Sequence, residues 1–213
     1  LGAAALVILL LWFGVLPWRK DLRGPGANGE ATESVARLTA SKDCTWGGTE
    51  VALIPGDGLR EGRRLELAAG LAEITFDSGA QVLLEGPAAL ELNSAWDTTL
   101  HHGTLNAVVP AEAMGFRVAS LEVEVADMGA EFNMVADRYG NTELYVVTGT
   151  VEAATRDTRA EVVPFILREK QARRFSRAGV TEIAVNAQKL ARLARKGKLD
   201  RPRLPVSIVH WSF

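Results

Sequence analysis

The sequence predicts an all-β domain, an antiparallel rolled sheet or sandwich of jelly-roll or β-helix-like form, preceded by one transmembrane helix and followed by a short basic helix. Three observations support this fold class. Between residues 35 and 185, apolar segments of about four to six residues alternate with turns rich in Gly, Pro, Asn and Asp, which is typical of sandwiches and rolled sheets. The first 16 residues carry no charged side chain. Five basic residues and no acidic one lie between Lys189 and Lys198.

The uncharged start of the chain predicts a membrane anchor. At ~1.5 Å per residue, residues 1–16 would extend roughly 24 Å as a helix, slightly less than the roughly 30 Å hydrocarbon core of a bilayer. Trp18, Arg19 and Lys20 follow, and such residues are common at the membrane interface. We therefore expect a transmembrane helix over residues 1–18, truncated within its apolar part. The alternative is a cleaved secretion signal, which should show a small-x-small cleavage site.

We expect residues 19–34 to form a juxtamembrane linker, because Gly, Pro and Asn dominate the composition of this segment and it has no apolar periodicity. The membrane orientation stays open at this stage. Arg19, Lys20 and Arg23 would lie on the outer side, against the positive-inside tendency, and basic residues preceding Leu1 would reverse that count.

The β domain is predicted over residues 35–185 as a series of short strands. The predicted strands cover residues 65–67, 71–76, 81–84, 89–92, 105–109, 116–119, 121–125, 132–135, 144–147 and 151–153. Turn signals such as Asp77–Gly79 and Gly86–Pro87 end them. No helix-length periodic segment interrupts the strands, so a parallel α/β sheet is not expected.

The segment after the β domain has a different character. Asn186 is suited to cap a helix over residues 186–197, and Gly197 is suited to end it. The basic residues of this helix are compatible with a solvated linker or with attraction to an anionic membrane surface. We expect residues 198–213 to form a linker and the start of a further domain, whose first strand would begin at about Val206.

Metal-ligating spacings are not visible in the sequence. His101 and His102 are adjacent on a predicted strand, so their side chains point to opposite faces and cannot share a metal ion. The single Cys44 excludes an intramolecular disulfide. The formal net charge of −2 produces no general attraction to nucleic acid.

Catalytic patterns are equally absent from the sequence. Glu122 and Glu124, two residues apart on a predicted strand, are typical of a solvated strand face rather than of paired acid and base. The chain has neither a nucleophile elbow nor a phosphate-binding loop. We therefore expect a protein that is not an enzyme and that uses no cofactor, no metal and no nucleic acid.

Residues 36–175 resemble the FecR domain, most closely the form found in planctomycete-type membrane proteins. The similar positions are structural in kind, and they are Gly79, Gly86, Pro87, Gly103, Phe116, Asp127, Gly129, Glu131 and Phe132. The resemblance is greatest at residues 125–132, which are similar to the family segment Asp-x-Gly-Thr-Glu-Phe. Ala130 takes the place of the usual Thr, which removes a hydroxyl group and keeps a small side chain.

The resemblance implies a role in signal transduction. FecR-like proteins are single-pass inner-membrane regulators in which a cytoplasmic segment controls an extracytoplasmic-function sigma factor and a periplasmic domain receives the signal. It follows that the partners would be the bilayer, through residues 1–18, and a sigma factor or envelope signalling protein. Residues 209–213 resemble the opening strand of LamG/concanavalin A-like lectin domains, which implies a glycan as a further partner. The rival hypothesis is a cell-envelope scaffold that presents such a carbohydrate-binding module.

The segment from Asp127 to Val135 also has a physical interpretation of its own. Asp127 and Gly129 predict a turn or bulge, with Gly at the position that needs unusual dihedrals. Phe132 and Val135 are expected to contribute to the core, and Phe132, with polar Glu131 and Asn133 on either side, has the alternation of an inward-facing side chain. Glu131 is expected either to face solvent or to pair with a buried Arg.

Overall fold

The computed structural model describes residues 34–48, 52–156 and 164–185. Within these ranges the regular structure is β throughout, apart from one turn of 3₁₀ helix at Ala111–Ala113, so the all-β prediction is confirmed. None of the helical structure described there is long and apolar enough to span a bilayer. The predicted elements over residues 1–18, 186–197 and 198–213 lie outside the described residues. Ser34, which we expected in the 19–34 linker, begins the first strand.

Thirteen strands follow one another along the described part of the chain. They are β1 (Ser34–Trp46), β2 (Gly58–Arg60), β3 (Arg64–Phe76), β4 (Gln81–Ser94), β5 (Asp97–Val108), β6 (Arg117–Ala119), β7 (Val123–Asp127), β8 (Glu131–Ala136), β9 (Thr142–Thr148), β10 (Thr150–Thr155), β11 (Phe165–Arg168), β12 (Ala172–Ser176) and β13 (Gly179–Glu182).

Strands β3, β4 and β5 are much longer than the short strands predicted. The expected strands 65–67 and 71–76 form a single strand, as do 81–84 and 89–92. The prediction was wrong because Gly and Pro, which usually mark turns, here produce a local bend while the hydrogen-bonded ladder resumes on either side. The register shifts at these bends in both the β3–β4 and the β4–β5 pair.

The bends lie side by side and form a crease, which we define as Gly70, Gly86, Pro87 and Gly103. At each glycine the neighbouring strand is too close for a side chain: a Cβ added to Gly86 would lie 2.8 Å from the Cα of Ala69. The peptide bond between Gly86 and Pro87 is cis. The crease divides one continuous sheet into two half-sheets.

The two half-sheets share β1, β3, β4 and β5. The first has the order β11-β10-β7-β6-β5-β4-β3-β1, and the second has the order β2-β1-β3-β4-β5-β8-β9-β12-β13. All of these pairs are antiparallel except the short pair between β5 and β6. The β-helix-like alternative is therefore wrong, because a β-helix stacks its strands in parallel.

Side chains from both half-sheets line one hydrophobic core. Phe76 on β3 meets Phe116, which precedes β6, edge-to-face with ring centroids 4.8 Å apart. The fully buried side chains come from strands of both halves, including Leu65, Leu90, Phe132 and Phe175. Folding at the crease therefore allows one sheet to enclose its own core.

Candidate functional site

The connection between β7 and β8 is a tight turn built around the Asp127 carboxylate. Its Oδ2 accepts the N–H of Gly129 at 2.6 Å, and its Oδ1 accepts the N–H of Ala130 at 3.0 Å. Gly129 has φ +86°, a conformation that glycine adopts without the steric cost of a Cβ. The turn predicted at Asp127 and Gly129 is therefore present, and we call residues 127–130 the Asp127 turn.

Backbone hydrogen bonds fix the Asp127 turn to the rest of the domain. The backbone N–H of Asp127 donates to Phe116 O at 3.0 Å, and the backbone carbonyl of Asp127 accepts the N–H of Gly115 at 3.0 Å. The N–H of Met128 donates to Thr150 O at 3.2 Å. A side chain at Gly149 would overlap the carbonyl of Gly129. The structure thus brings the predicted positions Phe116, Asp127 and Gly129 together.

Gly79 lies near the same end of the domain. A Cβ at Gly79 would be 3.5 Å from Glu112 Cγ and 3.8 Å from Pro110 Cγ, both next to or within the 3₁₀ turn that precedes Phe116. The remaining glycine and proline positions of the FecR resemblance, Gly86, Pro87 and Gly103, lie instead in the crease. The predicted site residues therefore form two separate structural groups.

The carboxyl group of Asp127 is almost completely buried, since the residue is 2% exposed. Burial raises its pKa from 3.8 to about 6, and the two backbone N–H bonds oppose that shift because they favour the charged form. The Asp127 turn therefore contains a group that titrates just below neutral pH.

We expect acidification to strengthen the domain through Asp127. Because the folded pKa lies above the unfolded one, the folded state binds more protons between about pH 4 and pH 6, so the free energy of unfolding rises as the pH falls through that window. The contribution should be about 1–3 kcal/mol. Urea unfolding of the wild type and of Asp127→Asn, compared at several pH values, measures it. A wild-type-minus-variant difference that is constant with pH, or that grows toward neutral pH, would contradict this assignment.

Two exposed methionines lie at the Asp127 turn, Met128 within it and Met114 beside it. Met114 is 55% exposed and Met128 is 49% exposed. The Cε of Met114 lies 3.8 Å from the point where a Cβ of Gly129 would be. Exposed methionines adapt their shape to a partner at little cost, which makes them common at protein-binding surfaces. Sequence reasoning missed this methionine surface, because only the tertiary fold places Met114 beside Gly129.

Glu131 has neither of the two environments expected from the sequence. It is half-buried, and its Oε1 accepts the side-chain N–H of Asn106 at 3.3 Å. The same Asn106 amide lies 3.3 Å from Asn133 Oδ1. Phe132 is fully buried, as alternation predicts, whereas Val135 is only half-buried. Asn133 is buried as well, so β8 is covered on both faces and strict alternation fails there.

His101 and His102 have different side-chain partners in the structure. His101 Nε2 is 2.8 Å from Glu91 Oε2, and His102 Nε2 is 3.2 Å from a guanidinium nitrogen of Arg138. No group of three or more potential metal ligands occurs in the described part of the chain. Burial raises the pKa of the Cys44 thiol, which disfavours the reactive thiolate.

The carboxylates Glu122 and Glu124 lie near the beginning of β7, and both residues are half-buried. Glu124 is on β7, but Glu122 precedes that strand and is 3.5 Å from Arg177. Strand β7 begins at Val123, after a bend at residues 121 and 122.

Comparison with known proteins finds no matching family model and no matching curated protein. Among solved structures, two crystal structures, each of a putative anti-sigma factor from Parabacteroides distasonis, are similar at 18% and 19% identity, with TM-scores of 0.47 and 0.49. The similarity covers 62% and 61% of this chain and 60% and 62% of those structures, so the chain spans about three fifths of their length. Values this low do not establish a shared function.

Proposed function

We propose that this chain belongs to a single-pass inner-membrane regulator of the FecR type. In this proposal the β domain lies in the periplasm and receives a signal from a protein partner. A cytoplasmic segment preceding the membrane helix then controls an extracytoplasmic-function sigma factor. The protein is not an enzyme. The Parabacteroides structures carry an anti-sigma name in keeping with this proposal, although their TM-scores are too low to support it.

The architecture of the FecR-like segment is the main support for the proposal. Residues 125–132, where the resemblance is greatest, end one strand, form the Asp127 turn and begin the next strand. The Asp127 carboxylate is committed to two backbone N–H groups, so it organises the chain instead of facing a substrate. Residues with such a role are expected in a binding or signalling domain.

The methionine surface is the described surface best suited to the protein partner. Met114 and Met128 are apolar and exposed, and Met128 belongs to the Asp127 turn, which is itself fixed by backbone hydrogen bonds. A partner bound there would contact the Asp127 turn directly. Binding would then bias the conformations available to the domain and to the chain that leads to the membrane.

In-frame deletion of residues 35–185 from the full membrane protein tests the proposal. We expect transcripts of one sigma-dependent regulon to lose their response to the inducing signal, because the receiving domain is missing. Transcript sequencing of the wild-type, deletion and null strains measures this effect. The double variant Met114→Ser/Met128→Ser should lose the response while remaining folded, and Ile166→Ser, a change at another exposed apolar residue, should retain it.

The membrane anchor is tested in the same strains by alkaline carbonate washing. Release of the protein into the soluble fraction would contradict the anchor. Identical transcript profiles in all strains would contradict the regulator, and a simultaneous loss of binding to cell-surface glycans would favour the scaffold hypothesis instead.

A further inference from the structure

The second half-sheet has an outer row of side chains that point away from the core. The row consists of Tyr145, Asn133, Asn106, Leu83 and Glu73, which are neighbours in register across β9, β8, β5, β4 and β3. The residues before and after each member belong to the core; Phe132 and Met134, for example, flank Asn133. Because side chains alternate along a strand, the outer row must face the opposite side of the sheet.

The outer row is buried to an extent that is unusual for the outward face of an antiparallel sheet, which is ordinarily solvated. Its members are between 1% and 6% exposed. The side-chain nitrogen of Asn133 is buried and has no hydrogen-bond partner among the described residues. Four of the five members are polar, and burial to this extent is typical of an interface rather than of a free surface.

The chemistry of this face is acidic on its inner strands. Glu73 belongs to the outer row, and three further carboxylates lie two residues from row members and hence on the same face: Glu85, Glu131 and Glu143. Basic side chains of this face lie toward its borders, namely Arg174, Arg37 and Lys42. Arg174 is bonded to Glu143 at 2.6 Å, and Arg37 donates to Gly56 O at 2.6 Å. The face is therefore complementary to a basic segment.

We propose that residues 186–197 of this chain dock across the outer row as its basic cover. The described structure ends at residue 185, close to the row. The N–H of Ile183 donates to Ala172 O at 3.2 Å, and Ala172 is opposite Tyr145 in the β9–β12 register. The segment that follows contains five basic residues and no acidic one between Lys189 and Lys198.

The length and the spacing of the segment match the face. Twelve helical residues extend about 18 Å, and neighbouring strands are about 4.8 Å apart, so the segment would cross about four strands. Lys189, Arg192 and Lys196 have the spacing i, i+3, i+7 and would lie on one side of a helix. Their rise of about 4.5 to 6 Å from one to the next is close to the strand repeat. Successive basic side chains would therefore lie above successive strands.

Carbodiimide cross-linking of the full chain in detergent micelles tests this docking, since the reagent joins a lysine amine to a carboxylate that it contacts. We expect peptide mass spectrometry to find Lys189 or Lys196 joined to Glu131, Glu85 or Glu73. The variant Lys189→Arg/Lys196→Arg keeps the charge without the amine and should lose these links. Lys170 and Glu169, whose charged atoms are 2.8 Å apart, report that the reagent has acted.

Several outcomes would overturn the docking. Links from Lys20 to the same carboxylates would assign the face to the N-terminal segment. Links between isotopically labelled and unlabelled chains would assign it to a second copy. Absence of the expected links, with the Lys170–Glu169 link present, would leave the face without this occupant.

A charge-reversal comparison provides an independent measurement. Lys189→Glu/Arg192→Glu/Lys196→Glu should lower the thermal unfolding midpoint by several degrees, because like charges would face the outer row. Lys198→Glu/Arg201→Glu/Arg203→Glu changes the net charge equally and should leave the midpoint near that of the wild type. Equal shifts in the two triple variants would contradict docking by residues 186–197.

Discussion

Replacement of Phe132 by alanine is expected to destabilise the β domain by about 3–5 kcal/mol, a large part of the stability of an ordinary domain. The ring is fully buried on β8, between Ala107 on β5 and Val146 on β9. Truncation would remove apolar contacts and leave a cavity that rigid neighbouring strands close only in part. Chemical denaturation of the two proteins measures the effect as a shift in midpoint.

Glu131→Gln is the matched control for this substitution, because it changes the adjacent residue. The glutamine retains an oxygen that accepts from Asn106, so the expected cost is about 1 kcal/mol or less. A wild-type midpoint for Phe132→Ala, together with a folded Glu131→Gln variant that no longer signals, would show that the segment is a functional surface. The structural role assigned to it would then be wrong.

Gly103→Ala is expected to be at least as damaging, with a cost above about 4 kcal/mol or complete failure to fold. Gly103 has φ +110°, and its added Cβ would overlap the Cβ of Ala88 and lie 2.6 Å from the Cα of that residue. Because the obstacle is backbone and a methyl group, no flexible side chain can move aside. The strands would have to separate at the crease, where both half-sheets depend on β4 and β5.

Gly56→Ala separates the two causes of that effect. Gly56 has φ +105° in a turn, and an added Cβ would have no heavy atom of the described residues within 4 Å. This variant should therefore lose only the roughly 1–2 kcal/mol associated with the left-handed conformation. Similar denaturation midpoints for Gly56→Ala and Gly103→Ala would show that close approach at the crease contributes little.

Local patterns in the sequence were sufficient to predict the fold class and the Asp127 turn. An aspartate two residues before a glycine, between two alternating segments, contains its own explanation, because the carboxylate and the amides that it binds are neighbours in the chain. Burial of Phe132 was also predictable from its sequence neighbours, because polar Glu131 and Asn133 lie on either side of it. The residues that define each of these features are close neighbours in the sequence.

The crease and the burial of Asn133 could not be predicted in this way. Gly86–Pro87 looks like a turn in sequence, and only the pairing of β4 with β3 and β5 shows that the ladder resumes beyond it. Asn133 is flanked by apolar residues and therefore should face solvent. Its burial depends on whether the outward face of β8 and β5 is covered. An alternation pattern shows which face a side chain lies on, but not whether that face is covered. Both features arise from contacts between residues distant in the chain.

The positions at which the chain enters and leaves the second half-sheet have a mechanical consequence. The described chain enters at β1 and leaves after β13, and six strands lie between these two in the sheet order. Tension applied between the two points would act across the strands, along the direction of their hydrogen bonds. The bonds would then break a few at a time, beginning at a border such as the β12–β13 hairpin, instead of resisting together in shear. If the domain is tethered on both sides, it would therefore unfold stepwise at low force.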